Sequence, residues 1–110
     1  MTNWLTRTGL ILESEKLEKL KEANVLVVGL GGVGAYAAEM ICRSGIGSMT
    51  IVDGDLIHAT NRNRQLPALK STEGLPKAAV MGQRLLDINP DLMLTVIREY
   101  IKDEKITAAE

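Results

Sequence analysis

The stretch Val25-Leu26-Val27-Val28-Gly29-Leu30-Gly31-Gly32-Val33-Gly34 decides the fold. Four apolar, mostly β-branched residues run without polar alternation, which predicts a strand covered on both faces, as in a parallel sheet flanked by helices. Gly29, Gly31 and Gly34 then fall in the G-x-G-x-x-G spacing, with Gly32 as an extra glycine. Such a turn lets backbone approach phosphate oxygens and seats the next helix tightly against the strand. The helix predicted over residues 33–44 begins with unpaired N–H groups, which present partial positive charge to an anion. Nineteen residues past Gly34, Asp53 closes a second apolar run, Met49-Thr50-Ile51-Val52. A carboxylate at that point accepts hydrogen bonds from ribose hydroxyls. Strand, glycines, helix, strand and acid in this order predict a βαβ nucleotide site; the bland alternative is a glycine-rich turn that serves packing alone.

At 110 residues the chain holds one small core and falls short of the ~150 or more of a complete two-half dinucleotide fold. The 13 Lys+Arg against 14 Asp+Glu leave a net charge of -1, so global charge argues for neither nucleic acid nor an anionic membrane. The single cysteine, Cys42, excludes an internal disulfide and any multi-cysteine metal site, which suits a reducing compartment and makes cytoplasm the expectation. The N-terminus lacks an apolar segment of signal-peptide length, and no run reaches the ~18 residues of a membrane span.

Ahead of the first strand, Leu10, Leu17 and Leu20 recur at helical spacing and predict a helix over residues 10–21. Residues 1–23 thus form an N-terminal arm and helix, with Trp4 expected to pack rather than to do chemistry. Residues 24–110 read as the N-terminal half of a nucleotide-binding domain. The helix after the glycines is apolar on most sides, and Cys42 within it is expected to be a small core residue. Past Asp53 the chain is polar for about twenty residues, longer than most connections in compact domains and therefore a functional candidate. Between Asn61 and Lys77, Arg62, Arg64, Lys70 and Lys77 oppose only Glu73, a local cationic cluster beyond a strand's carboxyl end, where ligands of open α/β sheets bind. His58 in the same loop is expected at the surface rather than as a base.

Pro76 suits a first helical turn, and Ala78, Met81, Leu85 and Ile88 give the next helix one apolar face. Lys77 opposes that helix's dipole, so it either meets a bound phosphate or points to water, and position alone supports both equally. Residues 92–97 predict a third strand, and residues 101–110 the opening of a helix without a stop signal, so the chain reads as truncated. The fold class is α/β: a Rossmann-like parallel sheet, one β-α-β-α-β mononucleotide-binding half with an N-terminal helix, in strand order 3-2-1.

The combination of Gly29-Leu30-Gly31-Gly32-Val33-Gly34, Asp53, Asn61, Arg64-Gln65 and Lys77 resembles the adenylating enzymes related to ubiquitin activation (ThiF, MoeB, HesA). Within them, residues 7–12, 43–47, 60–66 and 87–90 are most similar to the tRNA threonylcarbamoyladenosine dehydratases. Pro67 and Leu75 depart from that subfamily's usual residues, and neither belongs to the phosphate set. The resemblance implies ATP-dependent adenylation of a carboxylate, with ATP and Mg2+ as cofactors, tRNA as partner and a homodimer as the assembly. It implies that the glycines cradle the phosphates, Asp53 holds the ribose, and Asn61, Arg64 and Lys77 contact the phosphates. It further implies that Arg7 reaches the partner protomer's ATP, so that Arg64, Lys77 and Arg7 form the expected catalytic set. The family's magnesium-binding aspartate follows a fourth strand, beyond Glu110, and no metal ligand is assigned within this chain. Two rival readings stand beside it: an NAD-dependent oxidoreductase, because the glycines and Asp53 suit that cofactor equally, and a non-catalytic nucleotide-binding or dimerisation module.

Overall fold

The computed structural model describes residues 4–5 and 14–100. The expected helix beyond residue 100, the start of the N-terminal helix and Arg7 lie outside these residues. Helix α1, Ser14–Glu22, carries Glu15 in its first turn and Lys19 and Lys21 in its last, each on the end of the helix dipole that favours its sign. Strand β1 (Asn24–Val28), helix α2 (Gly32–Arg43), strand β2 (Ser48–Val52), helix α3 (Lys77–Ile88) and strand β3 (Met93–Ile97) follow in order. The strands pair in parallel with β2 in the centre, Leu26 opposite Thr50 and Thr50 opposite Thr95. The architecture is therefore the expected β-α-β-α-β half with the expected strand order.

Both connecting helices pack on one face of the sheet. Val27, Met49 and Ile51 meet Ala35, Ala38 and Cys42 of α2 and Ala78, Met81 and Leu85 of α3 in a single core. Alanines and Gly82 let the helices settle close: a side chain at Gly82 would approach Val96 Cγ2 to 3.1 Å. The opposite face of β1 is open, with Leu26 51% and Val28 45% exposed. This corrects the expectation of a strand covered on both faces. The unbroken apolar run reflects two faces that are both apolar, but within the described residues only one of them has a helix on it.

Helix α2, apolar on most sides, is likewise covered on one side only among the described residues. Its inner side is buried, whereas Val33, Tyr36 and Met40 face outward and are 84%, 50% and 63% exposed. Glu39 links it to α3 by accepting from the Arg84 guanidinium, with Arg43 at 3.5 Å. The arginines, Arg84 first, hold the Glu39 carboxyl below its ordinary value, against the opposing effect of burial.

The long polar segment after β2 is more ordered than its composition suggests. It forms two 3-10 turns, Ala59–Asn63 and Lys70–Thr72, anchored by the buried Ile57, Pro67 and Ala68. Leu56 and Pro76 form an antiparallel bridge, supported by Ile57 N–H donating to the Leu75 carbonyl at 2.8 Å and Lys77 N–H to the Asp55 carbonyl at 3.0 Å. The segment thus folds back so that its two ends lie side by side at the carboxyl edge of the sheet.

Candidate functional site

The glycine turn begins at the end of β1, where Gly29 takes φ 88°, a conformation that favours glycine. Its N–H donates to the Val52 carbonyl at 2.8 Å, which fixes the turn beside the end of β2. At Gly34 the constraint is close approach: a Cβ there would lie 1.8 Å from the Gly29 carbonyl oxygen. Beside Gly29 and Gly32, by contrast, the space a Cβ would enter is open. The start of α2 has no side-chain cap, since its N-cap residue is Gly31. An open glycine turn leading into an uncapped helix N-terminus is a cradle for an anion.

Asp53 sits where the second strand ends and grips this cradle. Its Oδ2 accepts from Leu30 N–H and its Oδ1 from Asp55 N–H, both at 2.7 Å. A carboxylate held by two amides is fixed in place and retains lone pairs for ribose hydroxyls.

Lys77 is 4% exposed, which removes the reading of a lysine pointing to water. Its Nζ lies 3.9 Å from Asp55 Oδ2. Sequence reasoning assigned no role to Asp55; the folding back of the loop, which cannot be read from composition, brings the carboxylate to the lysine. Asp55 is itself 44% exposed, so the pair is open on one side. Asp55 also accepts from the Tyr100 hydroxyl, and this bond raises the phenol above its ordinary value.

The Asn61–Gln65 turn lies over the glycines. The Gln65 amide packs on Gly31, where a Cβ would meet Gln65 Nε2 at 2.9 Å, and Gln65 Oε1 is buried without a hydrogen-bond partner. Asn61 is buried, and its Oδ1 accepts from His58 N–H at 3.0 Å, so part of this side chain serves the turn itself. Arg64 is exposed, its Nη1 donating to Asn63 Oδ1 at 3.0 Å and to the Thr60 carbonyl at 3.3 Å. Arg62 pairs with Glu73 at 3.6 Å. The structure thus joins Asp53 to the glycine turn and Lys77 to Asp55, and leaves Arg64 at the rim, bonded to its own loop rather than to either aspartate.

A cleft of about 200 Å³ opens at this edge, lined by Val28, Gly29, Val52, Asp53, Gly54, Asp55, Glu99 and Tyr100. It is smaller than the ~300–1,000 Å³ of enclosed ligand pockets, as befits a site walled from one side. A cavity of about 370 Å³ at the opposite end of the sheet, beside Trp4, Gly45 and Asn89, is larger, but the Asn89 amide is committed to the Ile46 carbonyl. Gly29 and Asp53 line the smaller cleft, and Asp55 beside them pairs with Lys77, which makes this edge the candidate site. Cys42 takes no part: it is fully buried, its thiol donates to the Leu85 carbonyl at 3.3 Å, and burial pushes its pKa up, away from a nucleophile. His58 is exposed, as expected. Among the described residues no group of three or more His, Cys, Asp or Glu side chains could hold a metal, and no helix is long and apolar enough to cross a membrane.

Parallel sheet, glycine turn, strand-end carboxylate and buried lysine define an α/β domain of the Rossmann type. Residues 6–110 match the ThiF family, and the chain belongs to it. It is 43% identical to the tRNA threonylcarbamoyladenosine dehydratase of Bacillus subtilis (strain 168), over 94% of this chain and 41% of that protein. It is 37% identical to the sulfur carrier protein ThiS adenylyltransferase of Escherichia coli (strain K12), over 84% of this chain and 37% of that protein. The Escherichia coli dehydratase crystallised with ATP superimposes with a TM-score of 0.87 at 38% identity, covering 94% of this chain and 42% of that one. The chain spans about two fifths of the length of these relatives.

Proposed function

We propose that this chain supplies the ATP-holding half of an enzyme that adenylates a carboxylate, with threonylcarbamoyladenosine in tRNA as the substrate. The observation that carries the reading is Lys77, buried at a helix N-terminus with, among the described residues, only the half-exposed Asp55 to balance it, at the edge where the glycine turn and Asp53 meet. An incoming phosphate supplies the negative charge that both the ammonium and the helix ends favour. A dinucleotide pyrophosphate is served mainly by backbone amides, so the buried lysine argues for a triphosphate over NAD. That same lysine argues against a module that keeps only the fold. Dehydratases and adenylyltransferases among the relatives support the reaction class.

In this mechanism the substrate carboxylate oxygen attacks the α-phosphorus of ATP, the bond to the β-phosphate oxygen breaks, and pyrophosphate leaves. The acyl adenylate then loses AMP as the substrate's own side chain closes on the acyl carbon, with net loss of water from that side chain. The protein's contribution is position and charge. Asp53 orients the ribose, the glycine-turn amides hold phosphate oxygens, and Lys77, Arg64 and Asn61 offset charge on the leaving pyrophosphate. Arg7, from the second protomer of a homodimer in the cytoplasm, completes this set. Asp53 and Asp55 are engaged with backbone amides, Lys77 and Tyr100 and do not amount to a magnesium site on their own.

A chimera tests this directly, with residues 6–110 replacing the matching segment of the Bacillus subtilis dehydratase. The chimera is expected to exchange pyrophosphate into ATP only when tRNA carrying threonylcarbamoyladenosine is present, and to release the cyclised nucleoside. A folded chimera that binds ATP but gives neither product contradicts the proposal.

A further inference from the structure

The glycines of the turn are glycines for different reasons. Gly29 and Gly32 have positive φ, 88° and 47°, and Gly34 meets the Gly29 carbonyl oxygen. Gly31 has neither constraint. Its φ of -93° and ψ of 162° are extended backbone that any residue adopts. What its missing side chain makes room for is Gln65: a Cβ at Gly31 would lie 2.9 Å from Gln65 Nε2, 3.1 Å from Cδ and 3.3 Å from Oε1. In a dinucleotide turn the second glycine is bare so that the pyrophosphate can approach. Here a side chain of the protein's own loop fills that room.

Gln65 closes the Asn61–Gln65 turn that carries Arg64. Its backbone is pinned on both sides, its N–H donating to the Asn61 carbonyl at 2.9 Å and its carbonyl accepting from Ala68 N–H at 3.0 Å, with Pro67 and Ala68 buried behind it. Arg64 bonds to Thr60 and Asn63 of its own loop, so its guanidinium is placed only as well as that loop is. Among the described residues no hydrogen bond joins residues 58–65 to residues 29–34, and Gln65 Oε1 is itself buried without a donor. The two turns are therefore set against each other by packing.

We propose that Gln65 is a positioning residue: it uses the room left by Gly31 to seat the Arg64 turn on the glycine turn, and acts on the phosphates through Arg64. This deepens the nucleotide reading of the site and rests on it. The bare Cα of Gly31 then serves Gln65 and not the ligand.

The experiment is a pair of double-mutant cycles read by calorimetric titration with ATP, with urea unfolding of each variant alongside. Gly31→Ala meets no backbone strain and only the end of a flexible side chain, so it is expected to keep its stability while pushing the amide aside and weakening ATP about tenfold. Gln65→Ala is expected to weaken ATP by the same factor. The Gly31→Ala, Gln65→Ala double variant is expected to be no weaker than either single variant, because both remove one contact. Gln65→Ala added to Arg64→Ala is expected to weaken ATP no further than Arg64→Ala alone. Factors that multiply in the first cycle show that Gly31 is bare for the ligand, and overturn the proposal. Factors that multiply in the second show that Gln65 touches the phosphates itself, and overturn the positioning role. Wild-type affinity in Gln65→Ala overturns it as well, with the nucleotide site left in place. A wild-type chain that binds no ATP overturns the nucleotide reading, and the role of Gln65 with it.

Discussion

The helix-covered face of the sheet and the loops at its carboxyl edge are built on opposite terms. On the face, Ala35, Ala38, Cys42, Ile51, Met81 and Leu85 are fully buried, and burial of apolar area stabilises them without further partners. At the edge, Lys77 is nearly as buried, but it is a charge, it opposes a helix dipole, and its partner Asp55 is half in water. A buried charge with one partial partner is a net cost to the fold. The first region needs nothing from outside, whereas the second is completed by an anion. That difference is what makes the edge, and not the larger cavity at the opposite end of the sheet, the candidate site.

Gly34 is where the two regions meet, and substituting it has the largest expected effect. Gly34→Ala drives a methyl into the Gly29 backbone carbonyl, which has no rotamer by which to give way. A loss of about 3 kcal/mol or more is expected in urea unfolding, together with loss of ATP binding. A variant that keeps wild-type stability would show that strand and helix are not seated as described.

Arg64→Ala is expected to separate the regions. The guanidinium is exposed and bonded only within its own loop, so stability should change by less than about 0.5 kcal/mol. A charge-assisted phosphate contact is worth ~1.5–3 kcal/mol, and ATP affinity should fall accordingly. If unfolding shifts and ATP binding does not, Arg64 belongs to the scaffold instead. In a chimeric homodimer, mixing Arg7→Ala with Arg64→Ala subunits is expected to restore part of the activity, because each defect then falls in a different site. No recovery after demonstrated subunit exchange would remove the in-trans role of Arg7.

The pH dependence of stability isolates the helix-packed region. Glu39 has its pKa lowered by the Arg84 hydrogen bond, so its contribution is present above its ordinary value of 4.5 and lost as pH falls through the lowered folded value. Glu39→Gln is expected to lower Tm slightly at pH 7, by about 1 kcal/mol or less in stability, and the gap should close as the pH drops well below 4.5. ATP affinity at pH 7 is expected to be unchanged by it. A gap that widens on acidification would reverse the sign of the Glu39 shift.

The smallest effect belongs to the open face. Leu26→Thr exchanges an exposed leucine for a β-branched residue that suits a strand, and less than about 0.5 kcal/mol is expected.

Most of the fold was legible because it rests on local signals. The apolar runs at residues 25–28 and 49–52, the glycine spacing, Pro76 before a helix and the apolar periodicity of α3 each act within a few residues. Asp53 was legible for the same reason: the end of a strand fixes its place. The Asp55–Lys77 pair was not, because it depends on how residues 54–77 fold back through the Leu56–Pro76 bridge, a contact between positions twenty apart with no composition of its own. Tyr100 was missed because a residue just past a strand carries no periodicity, and only the order of the strands puts it beside Asp53. The open face of β1 was misread since an apolar run reports what a strand can bury and not what is there to cover it.

Calorimetric titration of wild-type and Lys77→Met chains with ATP bears most directly on Lys77 as the buried cation that awaits a phosphate. Methionine keeps the stem's apolar packing and removes the charge. The wild-type chain is expected to bind with a dissociation constant of roughly 0.1 mM or weaker, because the site is enclosed from one side only. Lys77→Met is expected to weaken that binding at least about tenfold while raising stability or leaving it unchanged, since an uncompensated buried charge is gone. Equal ATP affinity in the two chains, with the variant correctly folded, would contradict the phosphate role of Lys77.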